Sequence, residues 1–329
     1  MGCGLVVARL LALLDGRRAR LLIAGGAVLT IVVAVAVLIP TLTGGSAGSS
    51  STATSATSTA AASPTATADS FAPLVVLAHQ GGWETYPLET LPAFVAAAKS
   101  GATVETDVHW TADGVAVLVH DDQTTSAKAA GKEHPMVCEG GPYTVSKTQW
   151  EVLRTRCRTL ASASKDGRRY PIPTFDAAMK AIADIPGAQV VVEMKPEQPT
   201  ADQISEYLGT ITKYDMAERT VSSSFYPDAL TQIQAQAKPD NVALRYLLML
   251  RPSPEEDLPT PEQLSGRGLW GVALRTDIAT QSNVAGLHAK QLAVAVWTAN
   301  TESQWTAGKL AQVDVVLTDK PDAYQAWLP

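Results

Sequence analysis

The chain has 329 residues, of which 46% are hydrophobic and 18% charged, with a formal net charge of −6. That composition suits one sizeable core together with a non-globular part. The acidic balance argues against a nucleic-acid footprint, because the N-terminal basic cluster leaves the remainder more acidic still.

The first elements are not globular. Leu21 to Pro40 reads LLIAGGAVLTIVVAVAVLIP, without a charge. Roughly 20 such residues cross the hydrocarbon core of a bilayer. Arg9, Arg17, Arg18 and Arg20 precede the run, and the next basic residue is Lys99. The positive-inside rule then predicts a cytoplasmic stretch over 1–20, a single-pass anchor over 21–42 and an extracytoplasmic remainder in the cell membrane. The alternative is a cleaved signal peptide and a secreted protein. Cys3 precedes the apolar run, so it is not a lipoprotein cleavage cysteine. Residues 43–70 are almost entirely Gly, Ser, Ala and Thr, and they are expected to form a flexible linker or wall-spanning stalk.

The periodic pattern begins at residue 71 and runs to 329. Strands are expected over 74–78, 103–108, 115–119, 189–194, 220–224, 243–248, 271–274, 292–297 and 313–317. Helical patterns lie between most of them. LETLPAFVAAAKSG ends in Gly101, suited to the residue after a helix end. TFDAAMKAIADIPG opens with Thr174 as N-cap and stops before Pro186. DQISEYLGTITKYD and PDALTQIQAQA follow the same scheme. Such alternation predicts a parallel sheet with helical crossovers.

One connection departs from it. Only Thr111-Ala112-Asp113-Gly114 joins TVETDVHW to VAVLVHDD. That is too short for a crossover, and Asp-Gly is a hairpin signal. The 115–119 strand is therefore expected to turn back beside 103–108, with the following loop returning His120. Setting it aside leaves eight strands, and 71–329 has nearly the roughly 250 residues of a TIM (β/α)8 barrel. Residues 122–170 are long for a loop and are expected as an inserted lobe on the active-site rim. Cys138 and Cys157, both in that lobe, are expected to pair in an oxidising compartment. Gly140-Gly141-Pro142 suits a turn there.

Candidate chemistry follows the strands. His79, Glu105, Asp107, His120, Glu193 and Lys195 lie at or just beyond the ends of LVVLAHQGG, TVETDVHW, VAVLVHDD and QVVVEMKP. Glu105 and Asp107 are two apart, so they share one face of a strand. Two neighbouring carboxylates cannot be buried as anions without a cation. With Glu193 they would form an oxygen-rich site for Ca²⁺ or Mg²⁺. His79 and His120 could serve as general acid and base on either side of a metal-bound phosphate. Lys195, on the same face as Glu193, would supply charge to a phosphate oxygen. His109, His134 and His288 are expected to be surface or structural residues. No nucleotide cofactor, serine-nucleophile elbow or internal repeat is visible, and no protein partner is predicted.

These segments, together with SSSF, VWTAN and VDVVLTDKPD, resemble the glycerophosphodiester phosphodiesterase family from about residue 74 to about 326. The His-x-Gly start, the Glu-x-Asp pair, the His-Asp after an Asp-Gly hairpin and the Glu-x-Lys come in family order. The resemblance implies a TIM barrel that hydrolyses small-molecule glycerophosphodiesters to glycerol 3-phosphate and an alcohol with a divalent metal. It implies His79 and His120 as the acid–base pair, and Glu105, Asp107 and Glu193 as the metal ligands. Lys195 would touch phosphate, and Phe225 and Trp297 would lie near the glycerol. Asp314, Thr318 and Asp319 resemble the family's last strand and are expected to close the barrel and cap the final helix.

Two departures stand out. Gln80 occupies the place of a family Arg, where an amide could still donate to phosphate but brings no charge. Pro87-Leu88-Glu89-Thr90 replaces Pro-Glu-Asn-Thr. Alternative readings are a phospholipase D-like hydrolase of lipids or of wall glycerophosphate polymers, and a membrane-tethered protein that binds phosphodiesters without turnover.

Overall fold

The computed structural model describes residues 75–126, 128–251 and 258–329. The expected cytoplasmic stretch, anchor and linker (1–20, 21–42 and 43–70) lie outside the described residues. Among the described residues no helix is long and apolar enough to cross a membrane.

Eight parallel strands close into a barrel. In chain order they are β1 (Val76–Ala78), β2 (Thr103–Trp110), β6 (Val190–Met194), β7 (Thr220–Ser224), β8 (Arg245–Leu250), β9 (Gly271–Arg275), β10 (Ala293–Trp297) and β11 (Val315–Thr318). β3 (Ala116–Leu118), β4 (Met136–Cys138) and β5 (Cys157–Thr159) lie outside the ring. β1 pairs with β2 on one side and with β11 on the other, which completes the closure. The helices are α1 (Leu91–Lys99), α2 (Trp150–Arg156), α3 (Phe175–Ala183), α4 (Ala201–Lys213), α5 (Pro227–Ala237), α6 (Pro261–Leu264), α7 (Gln281–His288), α8 (Glu302–Ala311) and α9 (Pro321–Trp327).

Local sequence explains the helix starts. Thr90, Thr174, Thr200, Thr260, Thr280 and Thr301 each accept a backbone N–H in the first turn of their helix. Such a cap satisfies an N–H that has no partner within the helix. In α4, Ile204, Tyr207, Leu208 and Ile211 are buried, an i, i+3, i+4, i+7 stripe facing the barrel. Tyr207 stacks on Phe175 of α3 with ring centroids 5.3 Å apart. Fully burying side chains of this size contributes about 1.5–3 kcal/mol each.

Strand alternation splits the core in two. Val104 and Val108 of β2, and Val190, Val192 and Met194 of β6, pack under the helices. Leu77, Val191, Val221, Leu247, Ala273, Ala295 and Leu317 fill the barrel interior. Glu105, Asp107 and Glu193 occupy the interior-facing positions of β2 and β6. Asp107 is the direct cross-strand partner of Glu193.

The hairpin forms as expected, with β3 antiparallel to the last three residues of β2. β2 runs on past the end of β6, so β3 comes back down towards the rim. Val119 N donates to Asp107 O at 3.1 Å, and the bend just after β3 returns His120 to the site as expected. The 122–170 lobe also carries more regular structure than a loop. β4 and β5 pair within it, α2 leads directly into β5, and Val145, Leu153, Cys157 and Ile172 form a small core with Val117. The Cys138–Cys157 disulfide joins directly opposed residues of β4 and β5.

Candidate active site

His79 reaches the barrel mouth through an unusual turn. Gln80, Gly81 and Gly82 have φ of 51°, 82° and 78°, a left-handed run that glycine tolerates best. A Cβ at Gly81 would lie 2.8 Å from the Ala93 Cβ, and one at Gly82 would lie 2.6 Å from Pro321 Cδ. The two glycines thus let the turn pack tightly between α1 and α9. Gln80 N donates to Glu105 Oε2 at 3.0 Å, tying this turn to the carboxylates.

Glu105, Asp107 and Glu193 are buried and bring one oxygen each within 4.8 Å of one another. Lys195 Nζ lies 3.0 Å from Asp107 Oδ1 and 3.1 Å from Glu193 Oε1. Neither Asp107 oxygen has an aligned hydrogen-bond donor, although both are buried. Lys195 faces that carboxylate as its charged partner. Burial and the neighbouring Asp107 push the Glu105 carboxyl up to about 8. The same two causes push Glu193 up to about 7. Asp107 behaves oppositely: burial opposes its ionisation, but Lys195 and the two histidines hold it below the usual carboxylate range. Burial likewise opposes the charge on Lys195, and Asp107 and Glu193 overcome it. Three buried carboxylates against one ammonium form an under-compensated group, and a hard divalent cation would compensate it. The Asp107 oxygens without aligned donors, and the all-oxygen donor set, fit such an ion.

Two histidines face each other across this cluster, with ring centroids 6.4 Å apart. His79 Nδ1 lies 2.6 Å from Asp319 Oδ1. Burial by itself would lower the His79 pKa. The Asp319 hydrogen bond, with Glu105 and Asp107, reverses this and pushes it up to about 9. Asp319 is itself held: Asn300 Nδ2 donates to its second oxygen, and Asp319 N donates to Asn300 Oδ1 at 2.8 Å. His120 Nδ1 lies 2.8 Å from Asp121 Oδ1, and that bond raises its pKa against the effect of burial. His134 of the lobe lies 3.5 Å from the other Asp121 oxygen.

The cavity between the histidines has a volume of about 360 Å³. Lys195, Phe225, Trp297 and Arg251 line it as well. Phe225 and Trp297 meet edge to face at 5.3 Å, and the Arg251 guanidinium sits over the Phe225 ring at 4.8 Å.

Most of the candidate residues therefore converge. Gln80 is buried beside His79. Its side-chain nitrogen lies 3.3 Å from His79 Nε2, and it lines a smaller adjoining cavity with Leu88. Glu89 stands behind the barrel wall, accepting from the Thr106 hydroxyl and from Asp107 N. Burial, then Asp107 and Glu105, raises its pKa well above the usual value. His109 lines the cavity, and its Nε2 lies 3.3 Å from the His120 carbonyl, a structural contact as expected. His288 pairs with Asp314, a structural contact as expected.

Asp319 is expected to cap the final helix, but α9 has no side-chain cap and Asp319 holds His79 instead. It follows the apolar run VDVVLT as the other site residues follow theirs, so that signal was available. Arg251 directly follows the apolar run YLLML and Asn300 closes the VWTAN segment, but the fold alone sets their partners at the site.

The chain is similar to known proteins of one family. A family model, the glycerophosphoryl diester phosphodiesterase family, matches residues 79–323. A glycerophosphodiester phosphodiesterase of Bacillus altitudinis is 25% identical over 253 residues, covering 75% of this chain and 95% of the relative. The mouse glycerophosphodiester phosphodiesterase 1 is 36% identical over 105 residues, 30% of this chain, and the match spans 32% of that relative. An Oleispira antarctica phosphodiesterase, solved with the product sn-glycerol-3-phosphate, superposes with a TM-score of 0.61 at 22% identity, covering 77% of this chain and 95% of that one. The Thermotoga maritima glycerophosphodiester phosphodiesterase gives 0.56 at 19% identity over 78% and 99% of the two chains. These last two likenesses concern the fold. The family match spans seven of the eight barrel strands and all six residues of the acid–base, carboxylate and lysine group, and the chain belongs to the glycerophosphoryl diester phosphodiesterase family.

Proposed function

We propose that this protein hydrolyses glycerophosphodiesters to glycerol 3-phosphate and an alcohol, with Ca²⁺ or Mg²⁺ held by Glu105, Asp107 and Glu193. The observation that carries this reading is the buried carboxylate group whose Asp107 oxygens lack aligned donors, set between His79 and His120. The divalent ion would supply charge to the phosphoryl oxygens as the transition state develops. Lys195 adds a second positive charge on the same side.

The two histidines differ in a way that suggests their roles. His79 is held in its protonated form by Asp319, and so serves as the general acid that protonates the leaving alcohol. His120 is anchored through Nδ1 by Asp121, which directs Nε2 away from that contact as the general base. It takes the proton of the attacking hydroxyl, either of water or of the substrate glycerol. Phe225 and Trp297 offer an apolar wall for the glycerol carbons. We place the domain outside the cytoplasm, tethered by residues 21–42. The disulfide of the lobe supports this, because such bonds persist in oxidising compartments.

The test is glycerol 3-phosphate release from glycerophosphocholine by the full-length protein, with Ca²⁺, with Mg²⁺ and with EDTA. Glu105→Gln and His120→Ala are run alongside. Metal-dependent release that both substitutions abolish is the expected result. A folded, metal-binding protein that releases nothing from glycerophosphocholine, glycerophosphoethanolamine or glycerophosphoglycerol would reduce the reading to binding alone.

A further inference from the structure

Resting on that functional reading, the geometry points to Arg251 as the binding residue for a second anionic group, one carried on the glycerol side of the substrate. The substrate class is then a glycerophosphodiester whose glycerol bears a further phosphoryl or phosphodiester group, rather than one ending in a neutral glycerol.

Position is the first argument. Arg251 directly follows β8, and β8 lies four strands from β1 in either direction round the closed barrel. Arg251 therefore stands across the mouth from His79, not within the cluster formed by β2 and β6. Phe225, on the residue after β7, lies between that cluster and Arg251. A substrate with its scissile phosphate at Lys195 and its glycerol against Phe225 and Trp297 reaches Arg251 with whatever the glycerol carries.

Chemistry is the second. The guanidinium lies over the Phe225 ring at 4.8 Å. Stacking uses the face of the guanidinium and leaves its N–H edge free for a bidentate grip on phosphate. Arg251 makes no ion pair with any described residue, whereas the exposed Arg154 and Arg275 each do. Its side chain is exposed in the cavity, and no described residue pairs with its charge there. The opposite wall carries the contrary sign, with Asp121 and Asp122. Polarity across the mouth therefore favours an anion at the Phe225 end. Gln80, without charge, adds no competing cation beside His79.

The test compares two non-hydrolysable probes and two substrates on the full-length, Ca²⁺-loaded protein. Calorimetry measures glycerol 3-phosphate against glycerol 1,3-bisphosphate binding to the wild type, Arg251→Met and Arg251→Lys. The bisphosphate is expected to bind the wild type about tenfold to a hundredfold more tightly, the range of a charge-assisted contact. Arg251→Met closes that gap, and Arg251→Lys restores part of it. In turnover, the ratio of kcat/KM for a three-unit glycerophosphate oligomer over glycerophosphoglycerol is expected to fall by a similar factor in Arg251→Met, through KM. Equal affinity of the wild type for both probes overturns the inference, as does an equal loss for both probes in Arg251→Met. The latter would place Arg251 on the scissile phosphate or in the fold. Preferential bisphosphate binding through Arg251 without hydrolysis of any diester would sink the functional reading while the anion site stands.

Discussion

Replacing Asp319 by Asn keeps the shape of the side chain that holds His79 and removes its charge. The contact is 2.6 Å long, between groups with side-chain exposures of 20% and 8%, so solvent screens it little. A hydrogen bond to a charged group contributes about 1.5–3 kcal/mol net, against about 1 kcal/mol for a neutral one. The loss to the imidazolium is then about 0.5–2 kcal/mol, or roughly one pKa unit at about 1.36 kcal/mol per unit. The sign follows from the direction of the shift. Asp319 raises the His79 pKa, which stands at about 9, so Asp319→Asn lowers it. A bound divalent ion would offset Glu105 and Asp107 but leave the Asp319 contribution in place. The assay is kcat against pH at saturating metal, paired with an NMR titration of His79 in both proteins. The alkaline limb of the profile, belonging to the general acid, is expected to move about one unit to lower pH, in step with the NMR value. An NMR shift of that size with an unmoved alkaline limb would show that His79 is not the acid. No NMR shift would refute the account of what holds its proton.

Three further outcomes follow from the same structure. Glu105 and Glu193 carry raised pKa values of about 8 and about 7 against an ordinary 4.5, so the metal-free fold binds protons there that the unfolded chain has released. His79, raised to about 9, adds stability that is complete below 6.5 and lost through 9. The Tm in EDTA is therefore expected to fall from about pH 5 to about pH 9, and Ca²⁺ to raise it more at the alkaline end; a flat or rising Tm in EDTA would contradict this. Glu89 has the same sign, its raised pKa costing stability as pH rises above 4.5. Glu89→Gln is expected to raise the metal-free Tm more at pH 8 than at pH 5, and equal shifts at both would remove the electrostatic cause. Cys138→Ser opens a link with a sequence separation of 19. For a loop of roughly this size the chain-entropy model gives about 3 kcal/mol, read by denaturant unfolding; an unchanged midpoint would mean the lobe unfolds apart from the barrel.

Much of this molecule is legible in its sequence because the relevant signals are local. The two-residue period of a strand puts Glu105 and Asp107 on one face, and barrel strands deliver their chemistry at their C-terminal ends. Asp113-Gly114 announces the hairpin. The N-cap threonine Thr174 marks where α3 begins. Each such signal is decided by residues within a turn or a strand of one another. The same locality makes the strand ends approximate. β8 is displaced by two residues from its expected 243–248, because its pairing with β7 and β9, not its own apolar run, sets its limits. What lies beyond local reach was settled by closure of the sheet. His79 and Asp319 are 240 residues apart and meet only because β1 pairs with β11. Arg251 reaches Phe225 because β7 and β8 are neighbours in the closed ring. The left-handed backbone of Gln80 and Glu89 was likewise decided by packing, against the preference of both residue types. Period and capping are written in consecutive residues, whereas the partner of a buried charge is chosen by whichever distant strand the barrel brings alongside.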